Sequence, residues 1–475
     1  MKIVFVSGHF NVLHPGHLRL FRFAKECGDK LIVGVESDQI AGGFAYVPEA
    51  LRLEGVQSNS WVDEAFLIET SLEGIISSLK PDIIVKGKEY EMKYNPELEI
   101  IERYGGKLLF SSGETVFSST DLIRREFLEA AAGTIRLPED YMKRHDISIQ
   151  KLVSMVQGFS KLKVAVIGDL IVDEYITCQP LGMSQEDPTI VVAPIDSRLF
   201  IGGAGIVSAH AAGLGAKVHF ISVTGSDEAR EFSLRKLFDF SVNGDLFIDE
   251  TRPTTLKKRF RSKGKTLLRV NHLHHGAISI KLQQEILQTL EHMISDINLL
   301  VFSDFNYGCL PQALVDQIVS MAKSKGVMLV ADSQSSSQIG DVGRFKKMDL
   351  LTPTEHEARI STRNQQDGLV VLVEQLKKQS DAENILLKIG EEGLLVHTDK
   401  TKESWLTDRI DALNSAPKDV AGAGDSLLIT SAMTLAIGGT IWEAALLGSL
   451  AAAIQVGRVG NIPLEIKEIL RELTG

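Results

Sequence analysis

The sequence predicts an α/β protein of two domains, each built around a parallel β-sheet, and three observations carry this prediction. The chain has 475 residues, which is too many for one ordinary hydrophobic core. Hydrophobic residues make up 44% of it and charged residues 24%, the balance of a globular protein rather than of a disordered chain. Short runs rich in β-branched residues alternate throughout with segments of helical period, which is the pattern of β-α-β units.

The first domain is expected to occupy residues 1–132. Its strands are predicted at Lys2–Ser7, Leu31–Val35, Ile83–Lys86 and Lys107–Phe110. A helix is predicted from about Pro15 to Cys27, because apolar residues such as Phe21 and Ala24 recur on one face. Gly28 follows at the position where glycine commonly ends a helix.

A change of composition separates this domain from the next. Residues 133–160 are charged, contain Pro138 and end in an amphipathic stretch, so they are predicted to form a linker. The second domain is expected to occupy residues 161–475. Its strands are predicted at Lys163–Gly168, Val218–Val223, Leu299–Phe302, Val327–Ala331, Leu350–Thr352 and Ile385–Lys388.

The most apolar segments of the chain lie near its C-terminal end, at 426–442 and 444–456. Each is shorter than the roughly 20 residues that a membrane-spanning helix needs, and a Gly-Gly pair interrupts the first. The apolar run at residues 1–6 breaks at Ser7, as a buried strand does and a signal peptide does not. Two buried helices and no targeting segment are therefore predicted.

Charge and cysteine content narrow the expected partners and compartment. The formal net charge of −11 disfavours nucleic acid as the main partner, because binding a phosphate backbone needs a basic surface. Cys27, Cys178 and Cys309 are too scattered for a zinc motif or a disulfide framework, which indicates a reducing cytoplasm. The expected partners are small phosphorylated molecules, with neither nucleic acid nor membrane. The oligomeric state, a homodimer included, is left open.

The first candidate site follows the first predicted strand. Ser7–His17 lies where that strand turns into the first helix, which is where ligands bind in open parallel sheets. Gly8 and Gly16 permit close approach of the backbone, and the helix N-terminus attracts an anion. His14 and His17 could both reach one phosphate chain and stabilise charge on the phosphorus that is transferred. Two nearby histidines could instead bind a metal, or one could cap the helix.

His14–His17 resembles the HxGH signature of the cytidylyltransferase-like nucleotidyltransferases, a family with a Rossmann-like domain, and the resemblance covers about residues 1–130. Lys80–Gly87 is similar to the family's PD…VKG segment, which implies that Lys86 lies near the substrate phosphate. Phe117–Ile123 is similar to its STT helix start. The resemblance implies that the nucleotide and its phosphates are bound by Gly8, His9, Phe10, Gly16, Ser118, Ser119 and Thr120, with His14 and His17 catalytic. Asn11 stands where the family often has aspartate.

The second candidate site precedes the C-terminal apolar helices. Asp419–Asp425 has only small residues at 421–424, so the backbone N–H groups at the following helix start lie open to a phosphoryl group. Asp425 beside them could accept a proton from a substrate hydroxyl. The same string could also be a tight turn and a helix cap.

Asp419–Asp425 resembles the DTTGAGD signature of the ribokinase-like (PfkB) sugar kinases, with Val420 and Ala421 in place of the two threonines. The resemblance covers about residues 161–475 and implies a ribokinase-like α/β sandwich. It implies that Asp425 is the catalytic base. It also implies that phosphate is bound by Gly422, Ala423 and Gly424.

Three further segments, at 168–173, 202–204 and 352–357, agree in order with the same family. They are similar to its opening strand with aspartates, its GG substrate loop and its TPNxxE segment. The resemblance implies that Glu357 helps to organise Mg²⁺ and the phosphates indirectly. It implies that the sugar is bound by Asp169, Asp173, Gly202 and Gly203.

The sequence departs from the kinase family at three positions. Ile206 replaces an asparagine that contacts sugar in the nearest kinases, and Thr354 replaces the asparagine of TPN. Asp332 is followed by Ser333 and Gln334, where a lysine is expected. These departures concern the choice of sugar and, at Thr354, the metal site.

Two other features are less specific. In the basic stretch Lys257–Arg269, basic and uncharged residues alternate in part, which fits equally a two-stranded lid whose inner face meets substrate phosphate and a solvated face. Residues 271–275 include three histidines without a standard zinc spacing, so an exposed turn is predicted there.

Together the two resemblances predict a bifunctional enzyme that phosphorylates a sugar phosphate and joins a sugar 1-phosphate to a nucleotide. The pairing is similar to the bifunctional heptose kinase/adenylyltransferases of bacterial surface-glycan synthesis, but the two domains stand in reverse order. ATP and Mg²⁺ are expected in both reactions, with CTP as the alternative nucleotide at the first site. Another sugar, or the decay of one domain into a ligand-binding or scaffold module, remains an alternative.

Overall fold

The computed structural model of the chain describes residues 2–11, 13, 15–87, 90, 95–110, 135–187, 189–262, 265–335, 338, 340–398 and 406–474. These residues belong to two compact units, and the second unit begins at Thr134. His14 and residues 118–120, which the sequence analysis assigned to the first site, lie outside the described residues. Within the described ranges, no helix combines the length and the apolar character needed to cross a membrane.

The first unit is built on five parallel strands. The strands are β1 (Ile3–Gly8), β2 (Lys30–Glu36), β3 (Glu64–Ile68), β4 (Ile83–Lys86) and β5 (Lys107–Phe110). The described helices are α1 (Pro15–Glu26), α2 (Asp38–Ala41), α3 (Glu49–Gln57), α4 (Leu72–Leu79) and α5 (Pro96–Glu102). The predicted strands are confirmed within one residue at each end. The edge strand β3 was not predicted, although residues 65–68 are apolar, and of its five residues only Ile68 is buried.

The strand order of this sheet is β3-β2-β1-β4-β5, so the order reverses beside β1. The crevice at the carboxyl ends of the strands beside such a reversal is where open α/β sheets bind ligands. Gly8 ends β1 and Lys86 ends β4, which places two predicted site residues at this edge. Val4 and Val6 face one apolar cluster and Phe5 faces another, so both faces of the sheet are covered.

The second unit combines a nine-stranded and a four-stranded sheet. Its strands are β6 (Lys163–Gly168), β7 (Leu170–Met183), β8 (Ile190–Gly203), β9 (Lys217–Thr224), β10 (Asn243–Ile248), β11 (Thr255–Ser262), β12 (Lys265–His272), β13 (Leu299–Asp304), β14 (Met328–Ser333), β15 (Leu350–Leu351), β16 (Asn384–Lys388), β17 (Leu394–His397) and β18 (Thr407–Ile410). Its described helices are α6 (Glu139–Arg144), α7 (Ile149–Gly158), α8 (Ala204–Gly213), α9 (Glu228–Asp239), α10 (Ile280–Met293), α11 (Gln312–Ser324), α12 (Glu355–Thr362), α13 (Leu369–Ser380), α14 (Ala423–Ala436), α15 (Ile441–Val456) and α16 (Ile466–Thr474).

The nine-stranded sheet has the order β10-β9-β6-β13-β14-β15-β16-β17-β18. Its strands are parallel up to β16, and β17 and β18 continue it in antiparallel pairing. The six strands predicted for this domain are confirmed within two residues as β6, β9, β13, β14, β15 and β16. The two predicted buried helices are confirmed as α14 and α15, which pack with α7 and α8 in one large apolar cluster.

The prediction that residues 133–160 form a linker is wrong for the described part of this segment, which belongs to the core of the second unit. α6 and α7 bury Tyr141, Leu152 and Val156 in the large apolar cluster. The Tyr141 hydroxyl also donates a hydrogen bond of 3.0 Å to the carbonyl of Trp442. The charged residues that suggested a linker are those that amphipathic helices expose to solvent.

The basic stretch 257–269 lies on β11 and β12, which pair in antiparallel fashion as a lid hairpin would. β11 also pairs in parallel with β7, and β7 pairs with β8, so the complete sheet has four strands in the order β12-β11-β7-β8. Asp173 lies on β7, and Gly202 and Gly203 end β8. This four-stranded sheet, called the lid sheet below, therefore carries three of the residues predicted to bind sugar.

Leu152→Ala tests whether α7 is part of the second unit's core. Leu152 is fully buried, so the cavity should lower the free energy of unfolding by about 2–5 kcal/mol. Ile149→Ala, on the exposed side of the same helix, should change it by about 0.5 kcal/mol or less. Chemical denaturation of both variants measures the difference. Equal stability of Leu152→Ala and the wild type would restore the linker assignment.

Candidate active sites

The phosphate-binding turn of the second unit is built by the start of α14. Gly422 precedes the helix with φ of +78°, in the left-handed region that glycine tolerates best. A methyl group added to Gly422 would also lie 2.4 Å from Asn461 Oδ1. Backbone conformation and space therefore both require glycine before the first helical N–H groups, which provide the positive end of the helix dipole.

Asp425 lies in the first turn of α14 and is almost completely buried. Gln334 Nε2 donates a hydrogen bond of 3.1 Å to Asp425 Oδ1. Burial, followed by the negative charge of Asp332, raises the pKa of Asp425 to about 7, although Lys388 opposes the shift. A carboxyl group that titrates near neutral pH is suited to accept a proton from a substrate hydroxyl.

A buried ion pair lies next to Asp425. Lys388 Nζ is 3.1 Å from Asp332 Oδ1 and 3.0 Å from Asp332 Oδ2. Burial raises the pKa of Asp332 to about 6, and Lys388 acts against that shift. Sequence reasoning missed Lys388, because it stands 56 residues after Asp332 and the sheet order β14-β15-β16 brings the two together.

Asp173 occupies a crowded position on the lid sheet. Arg259 on β11 lies 3.2 Å from Asp173 Oδ1 through its Nη2. A methyl group added to Gly202 would come within 2.6 Å of Asp173 Oδ2 and 3.5 Å of Asn461 Nδ2. Gly202 thus leaves room for these two polar side chains. The structure brings Asp173, Gly202 and Gly422 together around Asn461, which the sequence analysis did not single out.

Asp169, assigned to sugar hydroxyls by the resemblance, is engaged elsewhere. Its carboxylate accepts hydrogen bonds from the backbone N–H groups of Phe305, Tyr307 and Cys309 at 2.8–3.3 Å. Burial and the charge of Asp304 raise the pKa of Asp169 to about 6. The described contacts of Asp169 therefore hold the loop after β13, and the assignment of Asp173 to the sugar stays a prediction.

Glu357 lies at the start of α12 with both carboxylate oxygens occupied. Oε2 accepts a hydrogen bond of 2.7 Å from the backbone N–H of Thr354, and Oε1 accepts one of 3.1 Å from that of Ser335. The Thr354 hydroxyl completes a reciprocal capping box with Glu357. Threonine at the asparagine position thus keeps the helix cap, and Glu357 fixes two backbone segments at the edge of the site.

One face of β11 is strongly basic. Arg259 and Arg261 lie over the ring of Tyr175, with guanidinium carbons 5.3 and 5.0 Å from its centroid. Lys257 Nζ lies 5.1 Å from the centroid of Tyr307, and its charge lowers the pKa of Asp425. These contacts favour the inner face of a lid over a solvated face for this side of the basic stretch.

The strand-to-helix turn of the first unit is fixed from several sides. Phe10 is buried with φ of +48°, and its ring lies 5.1 Å from that of His17 in an edge-on arrangement. The His9 ring stacks on Phe44, and its Nδ1 lies 3.0 Å from Glu36 Oε2. The side chain of Phe10 thus serves packing, and it sets the orientation of His17 on the first turn of α1.

The hydrogen bonds of Asn11 explain why asparagine stands where the family often has aspartate. Its Nδ2 donates a hydrogen bond of 2.7 Å to the carbonyl of Phe44, and its Oδ1 accepts one of 2.8 Å from the N–H of Tyr46. An aspartate could not donate the first of these bonds. Asn11 therefore ties the site turn to the segment 44–46.

Lys86, predicted to lie near a substrate phosphate, has protein partners. Its Nζ is 2.9 Å from Glu97 Oε1 and lies 4.9 Å from the centroid of the Tyr90 ring. Gly8 lies at the same carboxyl edge of the sheet, at the end of the neighbouring strand β1. A phosphate at this edge would share the ammonium of Lys86 with Glu97.

A carboxyl group with a pKa near 7 at a helix start, beside a buried ammonium and a basic strand, is suited to phosphoryl transfer to a hydroxyl. The family model described as pfkB family carbohydrate kinase matches residues 161–467. Because this match spans more than half of the chain, the chain belongs to the pfkB family of carbohydrate kinases. The model described as cytidylyltransferase-like matches residues 5–125.

Several curated relatives carry the name bifunctional protein HldE. The protein from Desulfatibacillum aliphaticivorans is 29% identical over 322 residues, which are 67% of this chain and 64% of that protein. The protein from Helicobacter hepaticus is 30% identical over 313 residues, which are 65% of this chain and 63% of that protein. Each match spans less than two thirds of the relative's length.

Solved structures share the fold of the second unit. The ribokinase of Arabidopsis thaliana in complex with ribose and ATP has a TM-score of 0.51 and 16% identity, covering 66% of this chain and 99% of that chain. Phosphofructokinase-2 from Escherichia coli in complex with potassium has a TM-score of 0.54 and 15% identity, covering 66% and 98%. At these identities the likeness shows a ribokinase-like α/β fold.

The pKa of Asp425 predicts how sugar phosphorylation depends on pH. The base is active when ionised, so kcat/KM should rise with pH, level off above about pH 7, and fall about tenfold per unit below it. Initial rates of ADP release between pH 5 and 9 measure the profile. A profile that stays flat down to pH 5, as for an ordinary carboxyl group, would contradict a general base with a pKa near 7.

Proposed function

We propose that the chain is a bifunctional enzyme, a sugar-phosphate kinase in its second unit and a sugar-1-phosphate nucleotidyltransferase in its first. The observation that carries the proposal is the buried Asp425, whose pKa is raised to about 7 at the start of α14. Membership of the pfkB family supports the kinase, and the cytidylyltransferase-like match over residues 5–125 supports the second activity.

In the kinase reaction, Asp425 takes the proton of the attacking sugar hydroxyl. The hydroxyl oxygen bonds to the γ-phosphorus of ATP while the bond to the ADP oxygen breaks, so a phosphorylated sugar and ADP result. The N–H groups at 422–424 bind the phosphoryl oxygens and stabilise their charge in the transition state. Gln334, through its hydrogen bond, orients the Asp425 carboxylate.

Mg²⁺ would enter this site with the nucleotide. No group of three or more metal-binding side chains occurs among the described residues, and the two oxygens of Glu357 already accept backbone hydrogen bonds. Such a site fits Mg²⁺, which is commonly held by substrate phosphates, water and one or two carboxylates. The ion would supply charge neutralisation for the phosphates, and Glu357 would help to organise it indirectly by fixing the surrounding backbone.

The sugar is proposed to be a phosphorylated one, with heptose 7-phosphate as the first choice. The basic face of Lys257, Arg259 and Arg261 supports an anionic substrate beside Asp173 and Asp425. The pairing of the two domains resembles the heptose kinase/adenylyltransferases, and the matched relatives carry the name bifunctional protein HldE. Another phosphorylated sugar is the alternative, and Ile206, fully buried in α8, is where sugar choice would differ.

In the first unit, the proposed reaction joins a sugar 1-phosphate to the α-phosphorus of ATP, or of CTP as the alternative, and releases pyrophosphate. His17 donates to the oxygens that gain charge, and Lys86 lies at the same edge of the sheet. His14 and residues 118–120 are assigned to this site through the family resemblance. The cytoplasm is the proposed compartment, supported by three free cysteines, and a homodimer stays a prediction.

His17→Ala should reduce nucleotidyl transfer about 10²–10³-fold, as expected for the loss of one oriented donor in the transition state. Pyrophosphate release with sugar 1-phosphate and ATP or CTP measures the change. Phosphorylation of the sugar should be unchanged, and His292→Ala, on the exposed side of α10, serves as the matched control. Undiminished pyrophosphate release by His17→Ala would refute the assigned role.

Asp425→Asn should lower kcat of the kinase about 10²–10⁴-fold, because the general base is lost while side-chain size is kept. The KM for ATP should stay nearly unchanged, since the N–H groups at 422–424 remain. Asp296→Asn, with an 81% exposed side chain, is the control. Supplying sugar 1-phosphate should give normal nucleotide-sugar formation in Asp425→Asn. Full kinase turnover in this variant, or none in the wild type with any sugar tested, counts against the kinase assignment.

A further inference from the structure

The kinase site contains a buried lysine that the mechanism above does not use. Lys388 ends β16, and its side chain is only 13% exposed. Its ammonium is held at 3.0–3.1 Å by both carboxylate oxygens of Asp332, which is itself buried at the end of β14. The ammonium is therefore fixed in one position and not free to move with solvent.

That position borders the phosphate-binding turn. A methyl group added to Gly424 would lie 3.3 Å from Lys388 Nζ, so the ammonium lies beside the first turn of α14. The charge of Lys388 also lowers the pKa of Asp425 in the same turn. A phosphoryl group bound by the N–H groups of this turn would be within reach of the ammonium.

The negative charges around the phosphate-binding turn require a cation such as the Lys388 ammonium. Burial opposes the charge on Lys388, but Asp332, Glu357 and Asp425 outweigh it and raise the pKa of Lys388. A phosphoryl group entering beside three carboxyl groups would be repelled unless a positive charge lay between them.

The sequence shows why this cation comes from β16. After Asp332 the chain reads Ser333-Gln334, where similar kinases are expected to carry a lysine. Gln334 is neutral and donates its hydrogen bond to Asp425. The segment after β14 therefore supplies no positive charge to the phosphoryl group, and Lys388 approaches the same place from another strand.

We propose that Lys388 is a catalytic residue of the kinase: it binds the γ-phosphoryl group of ATP at the start of α14, and it takes the place of the lysine missing after Asp332. Asp332 is its positioning residue, which holds the ammonium toward the turn. This inference rests on the proposed kinase function of the second unit.

The first test measures nucleotide binding and needs no sugar. Isothermal titration of the full chain with Mg-ATP and Mg-ADP, fitted with one nucleotide site in each unit, should show that Lys388→Met loses affinity for ATP at one of the two sites by about tenfold or more, the effect typical of losing a hydrogen bond to a charged group. Affinity for ADP should change little, because ADP lacks the γ-phosphoryl group. Lys281→Met, at a lysine whose side chain is 86% exposed, is the matched control. Equal loss for both nucleotides, or no loss, would overturn the proposal.

The second test separates catalysis from a merely structural ion pair. Lys388→Met leaves the Asp332 carboxylate buried without its partner, so Lys388→Met/Asp332→Asn removes that unpaired charge. The double variant should regain thermal stability but neither the preference for ATP over ADP nor kcat. Lys388→Met/Gln334→Lys should recover part of both, because a lysine returns to the site. Recovery of the ATP preference in Lys388→Met/Asp332→Asn would show that the lysine is only structural.

With a sugar phosphate as acceptor, Lys388→Met should lower kcat about 10²–10³-fold, the size typical of losing one electrostatic donor in the transition state. Pyrophosphate release by the first unit should be unchanged. A wild-type chain that phosphorylates no sugar would remove the proposed kinase function, while the ratio of ATP to ADP affinity would still decide the role of Lys388.

Discussion

The chemistry proposed for the second unit depends on the burial of several carboxyl groups next to one lysine, at the carboxyl edge of a parallel sheet. Desolvation raises the pKa of Asp332 to about 6 and that of Asp425 to about 7, and the ammonium of Lys388 limits both shifts. Without the lysine, the site would favour protonated carboxyl groups and lose its base. The left-handed Gly422 then aims the N–H groups of α14 into the same small volume. The proposed acid–base chemistry and the proposed anion binding therefore have one structural origin.

The two candidate phosphate-binding sites are built in the same way. In each, a glycine-containing turn leads into a helix at the carboxyl edge of a parallel sheet, and a side chain in the first turn of that helix is the candidate catalytic group. His17 has this place on α1, and Asp425 has it on α14. The surroundings of the two side chains differ, because the His17 ring packs edge-on against Phe10 whereas burial raises the pKa of Asp425 to about 7.

Local pattern sufficed to predict elements whose pattern is complete within a short segment. β6 is a short apolar run, and α14 lies in the most apolar part of the chain, so both were predicted. The edge strand β3 was not predicted, and the amphipathic stretch of α7 was recognised but assigned to a linker. The glycine turns of both sites were visible as motifs. Lys388 was not, since only the sheet order β14-β15-β16 places it beside Asp332. The loop contacts that occupy Asp169 likewise depend on residues more than a hundred positions away.

Phosphorus NMR of the wild-type chain tests the central claim, that one chain carries both phosphoryl transfer and nucleotidyl transfer, most directly. With Mg-ATP and heptose 7-phosphate, the account predicts resonances of ADP and of a second phosphate ester on the sugar. With Mg-ATP and a sugar 1-phosphate, it predicts pyrophosphate and the two coupled resonances of a nucleotide-sugar diphosphate. Absence of either pair of products across the phosphorylated sugars and with both ATP and CTP would contradict the account.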